Sequence, residues 1–213
     1  MQPHNSKLIT PVLIASSLIL MIGFGIRASF GVFQIPVADQ FFWARTEFSM
    51  AIAIQNLAWG VGQPIFGAIA EKIGDRKAIL LGVIFYAVGL ILSSYAISPG
   101  QHQFYALFVG FGVAGTGFGV VLAIVGRAAS DENRSMALGI ATAVGSVGQI
   151  IGPPAAEYLL GHFNWSTVFL IFAGIIISTL VLLPVLKAPV KNSTVSLEET
   201  LGQILKKAFY DPS

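Results

Sequence analysis

The sequence predicts an all-α protein that crosses a membrane with six helices. Three observations predict it. Of 213 residues, 55% are hydrophobic and only 10% are charged, whereas a soluble domain carries about 25% charged residues. The apolar residues fall in runs of the length a bilayer requires, about 20 residues each. The breaks between runs are short, and lysine and arginine collect on alternate ones.

The first run, Leu8 to Phe33, follows Lys7. It is too long for the apolar core of a signal peptide, and no small-residue cleavage site follows it, so it is a span. The polar stretch Asp39 to Glu47 precedes a second run, Phe48 to Ala70, and the charged turn Glu71 to Lys77 separates that from a third, Ala78 to Ile97. Ser98 to Gln103 leads into a fourth run at Phe104 to Val125, and Arg127 to Arg134 into a fifth at Met136 to Leu160. Gly161 to Asn164 then leads into the sixth, Trp165 to Leu186. Residues 1–187 therefore form one transmembrane bundle. Beyond Lys187 the composition turns polar, and 188–213 is expected to be a cytoplasmic linker. Within it Ser196 to Glu199 fits a capping box, and Leu197, Leu201, Ile204 and Leu205 recur at helical spacing. They make a short amphipathic helix that rests on the inner leaflet or joins two domains.

Orientation follows from the basic residues. Lys7, Lys72, Arg76, Lys77, Arg127, Arg134, Lys187, Lys191, Lys206 and Lys207 fall on one side of the alternation, against Arg45 on the other. Both termini are expected in the cytoplasm, the bundle sitting in a plasma membrane of the bacterial inner type. A formal charge of +2, dispersed between apolar runs, makes no clustered basic surface for nucleic acid. With no cysteine there is no disulfide framework and no thiolate metal site.

Gly110, Gly112 and Gly115 spell G-x-G-x-x-G, but they lie inside an apolar run instead of after a strand, so helix packing is the expected role. His4, His102 and His162 fall at run ends or loops. No set of catalytic groups shares one membrane layer. Neither an enzyme, a cofactor nor a metal site is expected.

At the junction of the second and third spans, Gly67 to Lys77 reads G-A-I-A-E-K-I-G-D-R-K. Gly67 is placed for close helix approach and Gly74 for a tight turn. The segment resembles the signature G-x-x-x-D-R-x-G-R-R/K of the major facilitator superfamily. Glu71 stands at the acidic position, Lys72 at the first basic one and Gly74 at the second glycine, with Arg76 and Lys77 as the later basic residues. Asp75 departs from the pattern, where the family has a basic residue. The resemblance implies that Glu71, Lys72 and Arg76 join an inner-gate charge network latching the outward-facing state.

F-G-V-F at Phe30 to Phe33, W-A-R at Trp43 to Arg45, W-G-V-G-Q-P at Trp59 to Pro64 and the stretch Arg134 to Pro154 resemble the monocarboxylate-porter and oxalate/formate-exchanger branch of that superfamily. Gly148, Gly152 and Pro153 also match the start of G-x-x-x-G-P-x-x-G-G, a motif of exchangers, but Ala156 and Glu157 replace its closing glycines. The resemblance implies the N-terminal six-helix half of a secondary transporter, built from two inverted three-helix repeats and moving a small organic anion with a coupled proton or counter-anion. It also implies a second six-helix bundle, either a missing C-terminal half or another copy. The alternative is a non-transporting six-helix assembly partner or receptor derived from such a half.

Arg27 is the ionisable residue that stands well inside an apolar run. An arginine at a helix centre costs about 2.5 to 3.5 kcal/mol on insertion scales, so it faces a partner or a water-filled cavity. Ser16, Gly23, Gly31 and Gln34 share its helix face, and Gln55 and Trp59 on the second span and Thr142 and Gln149 on the fifth make similar polar stripes. Arg27, Gln34, Gln55, Trp59, Thr142 and Gln149 are therefore the candidate substrate-binding residues. A guanidinium holds a carboxylate through two parallel hydrogen bonds, which suits the organic anion that the resemblance implies. Snorkelling of Arg27 to the outer headgroups, or an ion pair with the second bundle, are the other placements open to it.

Overall fold

The computed structural model describes residues 7–187. Helix α1 (Pro11–Ala28) begins where the Thr10 hydroxyl accepts a hydrogen bond from the Leu13 amide at 3.2 Å and Pro11 takes the first helical position. The cap moves the start three residues past Leu8. Through a 3-10 turn (Ser29–Phe33) the chain continues into α2 (Gln34–Phe41), so the first span runs on beyond Phe33 as one helical unit of 31 residues, Pro11–Phe41. Phe42, left-handed at φ 56°, ends it.

Helix α3 (Arg45–Ile73) has 29 residues and takes in charged residues at both ends, Glu47 in its first turn and Lys72 in its last, each favourable to the helix dipole. Its interior polar residues, Gln55, Asn56 and Gln63, set it apart. Five units, Pro11–Phe41, Asp75–Ser94, Pro99–Ala128, Arg134–Leu160 and Trp165–Val185, are long and apolar enough to cross a membrane, whereas α3 has the length with a more polar surface. After the single residue Gly74, at a φ of 96° that glycine adopts without strain, α4 (Asp75–Ser94) turns back.

The fourth span departs most from the sequence expectation. It begins at Pro99, capped by the Ser98 hydroxyl, and consists of α5 (Pro99–Thr116) and α6 (Phe118–Ala128), separated by Gly117 in an extended conformation. The unbroken run Phe104 to Val125 is thus corrected to two helices. Non-helical backbone at membrane depth is tolerable where protein covers it, and Gly117 is buried. Helix α7 (Arg134–Leu160) passes through Pro153 and Pro154, and α8 (Trp165–Ser178), capped by Asn164, ends in a 3-10 turn (Thr179–Val185). The linker and amphipathic helix expected at 188–213 lie outside the described residues.

Four pairings dominate the bundle: α1 with α7, α3 with α5, α4 with α5, and α4 with α8. Glycines permit the first three. A Cβ on Gly148 would sit 2.7 Å from the Met21 carbonyl carbon, and one on Gly152 2.7 Å from that of Gly25, so α1 and α7 touch backbone to backbone. Gly110 lies against the Gln55 backbone in the same way, and Gly112 against that of Tyr86, which makes the G-x-G-x-x-G run a packing surface. At Gly67 a Cβ would meet nothing within 4 Å. The close approach expected there is therefore not made among the described residues.

Candidate functional site

Arg27 falls in the last turn of α1 and points across to α3. Its Nη2 donates a hydrogen bond of 2.6 Å to Asn56 Oδ1, and its guanidinium carbon lies 4.5 Å from the centre of the Trp59 ring. Asn56 and Trp59 are three residues apart, so the helix period sets them on one face. The ring covers one face of the cation and the amide takes one of its edges. Arg27 Nε and the Trp59 indole nitrogen are both buried without hydrogen-bond partners among the described residues. Two buried donors here thus stand without acceptors among the described residues.

Aromatic packing fixes the clamp from below. Phe24, one turn before Arg27, meets Trp59 edge-on at 5.8 Å and stacks on Phe118 at 4.3 Å. Phe118 opens α6, so the break at Gly117 brings the fourth span to the pocket: a Cβ on Gly117 would lie 3.6 Å from the Trp59 indole nitrogen and 3.7 Å from Phe24. Gln63, the next polar residue along α3, approaches Gly119 in the same region.

The other candidates are divided. Gln55 is 2% exposed, and neither end of its amide finds a partner. Gln34 works away from Arg27, donating to the Arg45 carbonyl at 3.1 Å and to Ser49 Oγ at 2.7 Å, which ties α2 to the start of α3. Thr142 is exposed and returns its hydroxyl to the Leu138 carbonyl of its own helix. Gln149 is half-buried beside Gly148, and no hydrogen bond joins it or Thr142 to Arg27 among the described residues. The stripe expected around Arg27 on α1 is interrupted, because Ser16 is fully buried and Gly23 sits under the Tyr86 hydroxyl, which donates to its carbonyl at 2.9 Å. Asn56, the direct partner of Arg27, was not among the candidates; its position three residues before Trp59 was the available signal.

At the basic end of the bundle the charges also pair differently from the motif. Asp75, the residue that departs from the signature, forms an ion pair of 2.5 Å with Arg127, both side chains about a quarter exposed. Asp75 opens α4 and Arg127 lies in the last turn of α6, so each also opposes the helix dipole favourably. Arg76 caps the sixth span, donating from Nε to the Leu186 carbonyl at 2.8 Å and from Nη2 to that of Pro184 at 3.0 Å. Glu71, Lys72 and Lys77 are exposed and make no ion pair among the described residues. The network expected of Glu71, Lys72 and Arg76 is thus replaced here by Asp75–Arg127 and a helix cap, because α3 carries its last turn out to solvent while the Gly74 turn brings residues 75 and 76 back onto the bundle.

Comparison with known proteins adds three findings. The sequence pattern of the Major Facilitator Superfamily matches residues 15–212. The chain is 30% identical to monocarboxylate transporter 13 of Bos taurus over 154 residues, covering 71% of this chain and 35% of that protein. It is 28% identical to the uncharacterized MFS-type transporter YcxA of Bacillus subtilis (strain 168) over 182 residues, covering 82% and 42%. The chain thus spans less than half the length of these relatives. Its fold matches the inward-open xylose transporter XylE from E. coli at a TM-score of 0.69, with 14% identity, over 85% of this chain and 49% of that one.

Proposed function

Because this chain belongs to the Major Facilitator Superfamily, an integral, multi-pass membrane protein of a transporter family and not an enzyme, we propose that it is the N-terminal half of a secondary active transporter for a small organic anion of the monocarboxylate type. The observation that carries the anion is Arg27. Its guanidinium is held between Asn56 and Trp59 inside the first span, with no acidic side chain bonded to it among the described residues. A membrane arginine placed so is a functional group by default, and a carboxylate is the ligand that its geometry matches. The name of the relative in Bos taurus points to the same substrate class.

Alternating access needs a second bundle across the substrate path, and the first bundle needs internal repeats to rock against it. Exchanging the first three spans for the last three maps the α1–α7 contact onto the α5–α3 contact and leaves α4–α8 in place, as inverted repeats would, whereas the extensive α4–α5 contact maps onto the slight α8–α1 contact. In this reading both termini lie in the cytoplasm, as the distribution of basic residues predicts, and a proton or counter-anion is coupled to transport.

The test is uptake by the full-length protein in proteoliposomes, with L-lactate, formate and oxalate offered. Arg27→Gln should abolish saturable uptake, and Arg27→Lys should weaken it by losing the two-pronged contact while retaining the charge. Wild-type uptake by a folded Arg27→Gln protein would refute the assignment.

A further inference from the structure

The fourth span breaks inside an apolar run, where an unbroken helix would give every backbone group its own partner. With Gly117 extended at φ −93° and ψ −165°, the first backbone bond of α6 runs from the Val121 amide to the Gly117 carbonyl at 3.1 Å. The amides of Phe118, Gly119 and Val120 therefore have no acceptor in their own helix. Such backbone is tolerated at membrane depth where protein holds it, and Gly117 is buried. The position also needs a residue without a side chain. A Cβ on Gly117 would stand 2.5 Å from the Val113 carbonyl oxygen, which is backbone of the preceding turn and cannot rotate aside. What the break delivers is Phe118. Its ring stacks on Phe24 at 4.3 Å and 28°, and Phe24, itself buried, meets Trp59 edge-on at 5.8 Å and 70°. The Trp59 ring in turn lies 4.5 Å from the guanidinium carbon of Arg27. The first, second and fourth spans thus converge on one cation through a row of rings.

We infer that Phe118, set in place by the glycine break, is a positioning residue for Arg27: through Phe24 it holds the Trp59 ring against the guanidinium and so fixes how the cation is presented to a substrate. This rests on the reading of Arg27 as the anion anchor and adds the residues that aim it. An arginine side chain is long and flexible, and in an apolar span its default is to extend toward the headgroups. The hydrogen bond to Asn56 ties one of its nitrogens, but Asn56 is exposed and is free to turn about its own side-chain bonds. Trp59 is held instead by ring packing from the first and fourth spans. A carboxylate bound through two parallel hydrogen bonds needs the guanidinium plane within about 10 to 20° of the productive geometry, and the row of rings is the part of the site that sets that plane. Phe118 acts through Phe24 and Trp59, since no ring contact joins it to Arg27 among the described residues.

The experiment compares Phe118→Leu, Phe118→Tyr, Gly117→Ala and Arg27→Gln in the full-length protein. L-lactate uptake in proteoliposomes gives KM and kcat. The rate at which phenylglyoxal modifies Arg27, read by mass spectrometry of its peptide, reports how firmly the guanidinium is held. Phe118→Leu keeps an apolar side chain and loses the ring. It should raise KM by about 2- to 10-fold, the worth of one aromatic pair, leave kcat near the parent value and speed modification of Arg27 by about 2-fold or more. Phe118→Tyr keeps the ring at a half-buried position and should match the parent in both measurements. Gly117→Ala should move KM and modification in the same direction as Phe118→Leu and further, because it disturbs the break itself; if it does not fold, the two Phe118 variants decide. A Phe118 that merely fills space would lower the melting temperature of Phe118→Leu and leave KM and the modification rate of the folded protein at parent values. That result overturns the inference, as does a Phe118→Tyr protein as impaired as Phe118→Leu, or parent behaviour of a folded Gly117→Ala protein. If Arg27→Gln abolishes uptake while Phe118→Leu matches the parent in KM and modification, the inference about Phe118 falls alone. If Arg27→Gln transports normally, the anchor reading falls and the KM effect with it, and the modification rate still decides whether Phe118 places Arg27.

Discussion

Three glycines on one helix give opposite expectations for the same chemical change. On α7, Gly139 faces open space, whereas Gly148 and Gly152 press on the backbone of α1. Adding a methyl group at Gly148 brings carbon to 2.7 Å from the Met21 carbonyl carbon and closer still to its oxygen, so relief to the 3.4 Å of ordinary contact needs a displacement of more than about 0.7 Å between two helices. The obstacle is backbone, so no side chain can rotate away. Overpacking of this kind costs about 1 to 3 kcal/mol, and alanine returns about 1 kcal/mol through helix propensity. The net loss for Gly148→Ala is then up to about 2 kcal/mol, or roughly 4 to 8 °C in melting temperature for a chain of this size. Gly152→Ala should behave alike, with a Cβ 2.7 Å from the Gly25 carbonyl carbon. Gly139→Ala should gain up to about 1 kcal/mol, or roughly 2 to 4 °C. The chain has no cysteine, so a single Ala141→Cys at a fully buried position of α7 provides a thiol whose exposure reports unfolding to a fluorogenic maleimide. If Gly148→Ala melted at or above the parent temperature in that assay, α1 and α7 would not be in backbone contact, and the route by which Arg27 is positioned would have to be redrawn.

Further tests address the ends and the interior of the bundle. A double-mutant cycle on Asp75→Asn and Arg127→Gln, read by the same thermal assay, should give a coupling of at most about 1 kcal/mol, because both side chains are partly exposed; a larger value would mark the pair as more shielded than it is here. Gln55→Leu should stabilise the bundle by about 1 to 3 kcal/mol if its buried, unpartnered amide serves nothing, and that stabilisation should be accompanied by loss of lactate uptake if the amide faces the substrate path; stabilisation with full uptake would remove Gln55 from the site. Reporter fusions after Lys77 and Arg134 should read cytoplasmic and one after Gln101 external, by the asymmetry of the basic residues; an external signal after Lys77 would reverse the orientation.

How much of this was legible in the sequence depended on what each signal encodes. Hydropathy records whether a stretch can sit in lipid, so the five apolar helical units stand where five of the runs do, although the first continues past Phe33 to Phe41. It does not record caps. Thr10 and Ser98 shifted two helix starts through single side-chain bonds to backbone amides, a local geometry that an apolar run averages away. Nor does it record the break at Gly117, because glycine is common in packed membrane helices and Gly110, Gly112 and Gly115 on the same span remain helical. What separates Gly117 from them is its neighbourhood, Trp59 and Phe24 from two other spans, which becomes available only once the spans are packed.

The site shows the same division between composition and contact. A lone arginine in an apolar run is conspicuous because its cost is intrinsic to the residue, so Arg27 was found from sequence, and Trp59 with it. Asn56 was not, since an exposed asparagine on a polar helix face carries no cost and leaves no mark until its oxygen is seen 2.6 Å from a guanidinium. The charged turn shows the difference from the other side: the resemblance assigns roles by position along a motif, whereas pairing among the described residues follows the helix each charge rides on. Glu71 and Lys72 belong to the last turn of α3 and project into solvent, while Asp75, the apparent misfit, opens α4 and meets Arg127 at the end of α6. An acidic residue replacing a basic one reverses the sign of its partner, and Arg127 supplies that partner from the fourth span. Asp75 thus has a partner of opposite charge in this chain, and Asp75→Arg, which sets two like charges together, should lower the melting temperature until Arg127→Asp or Arg127→Glu is added.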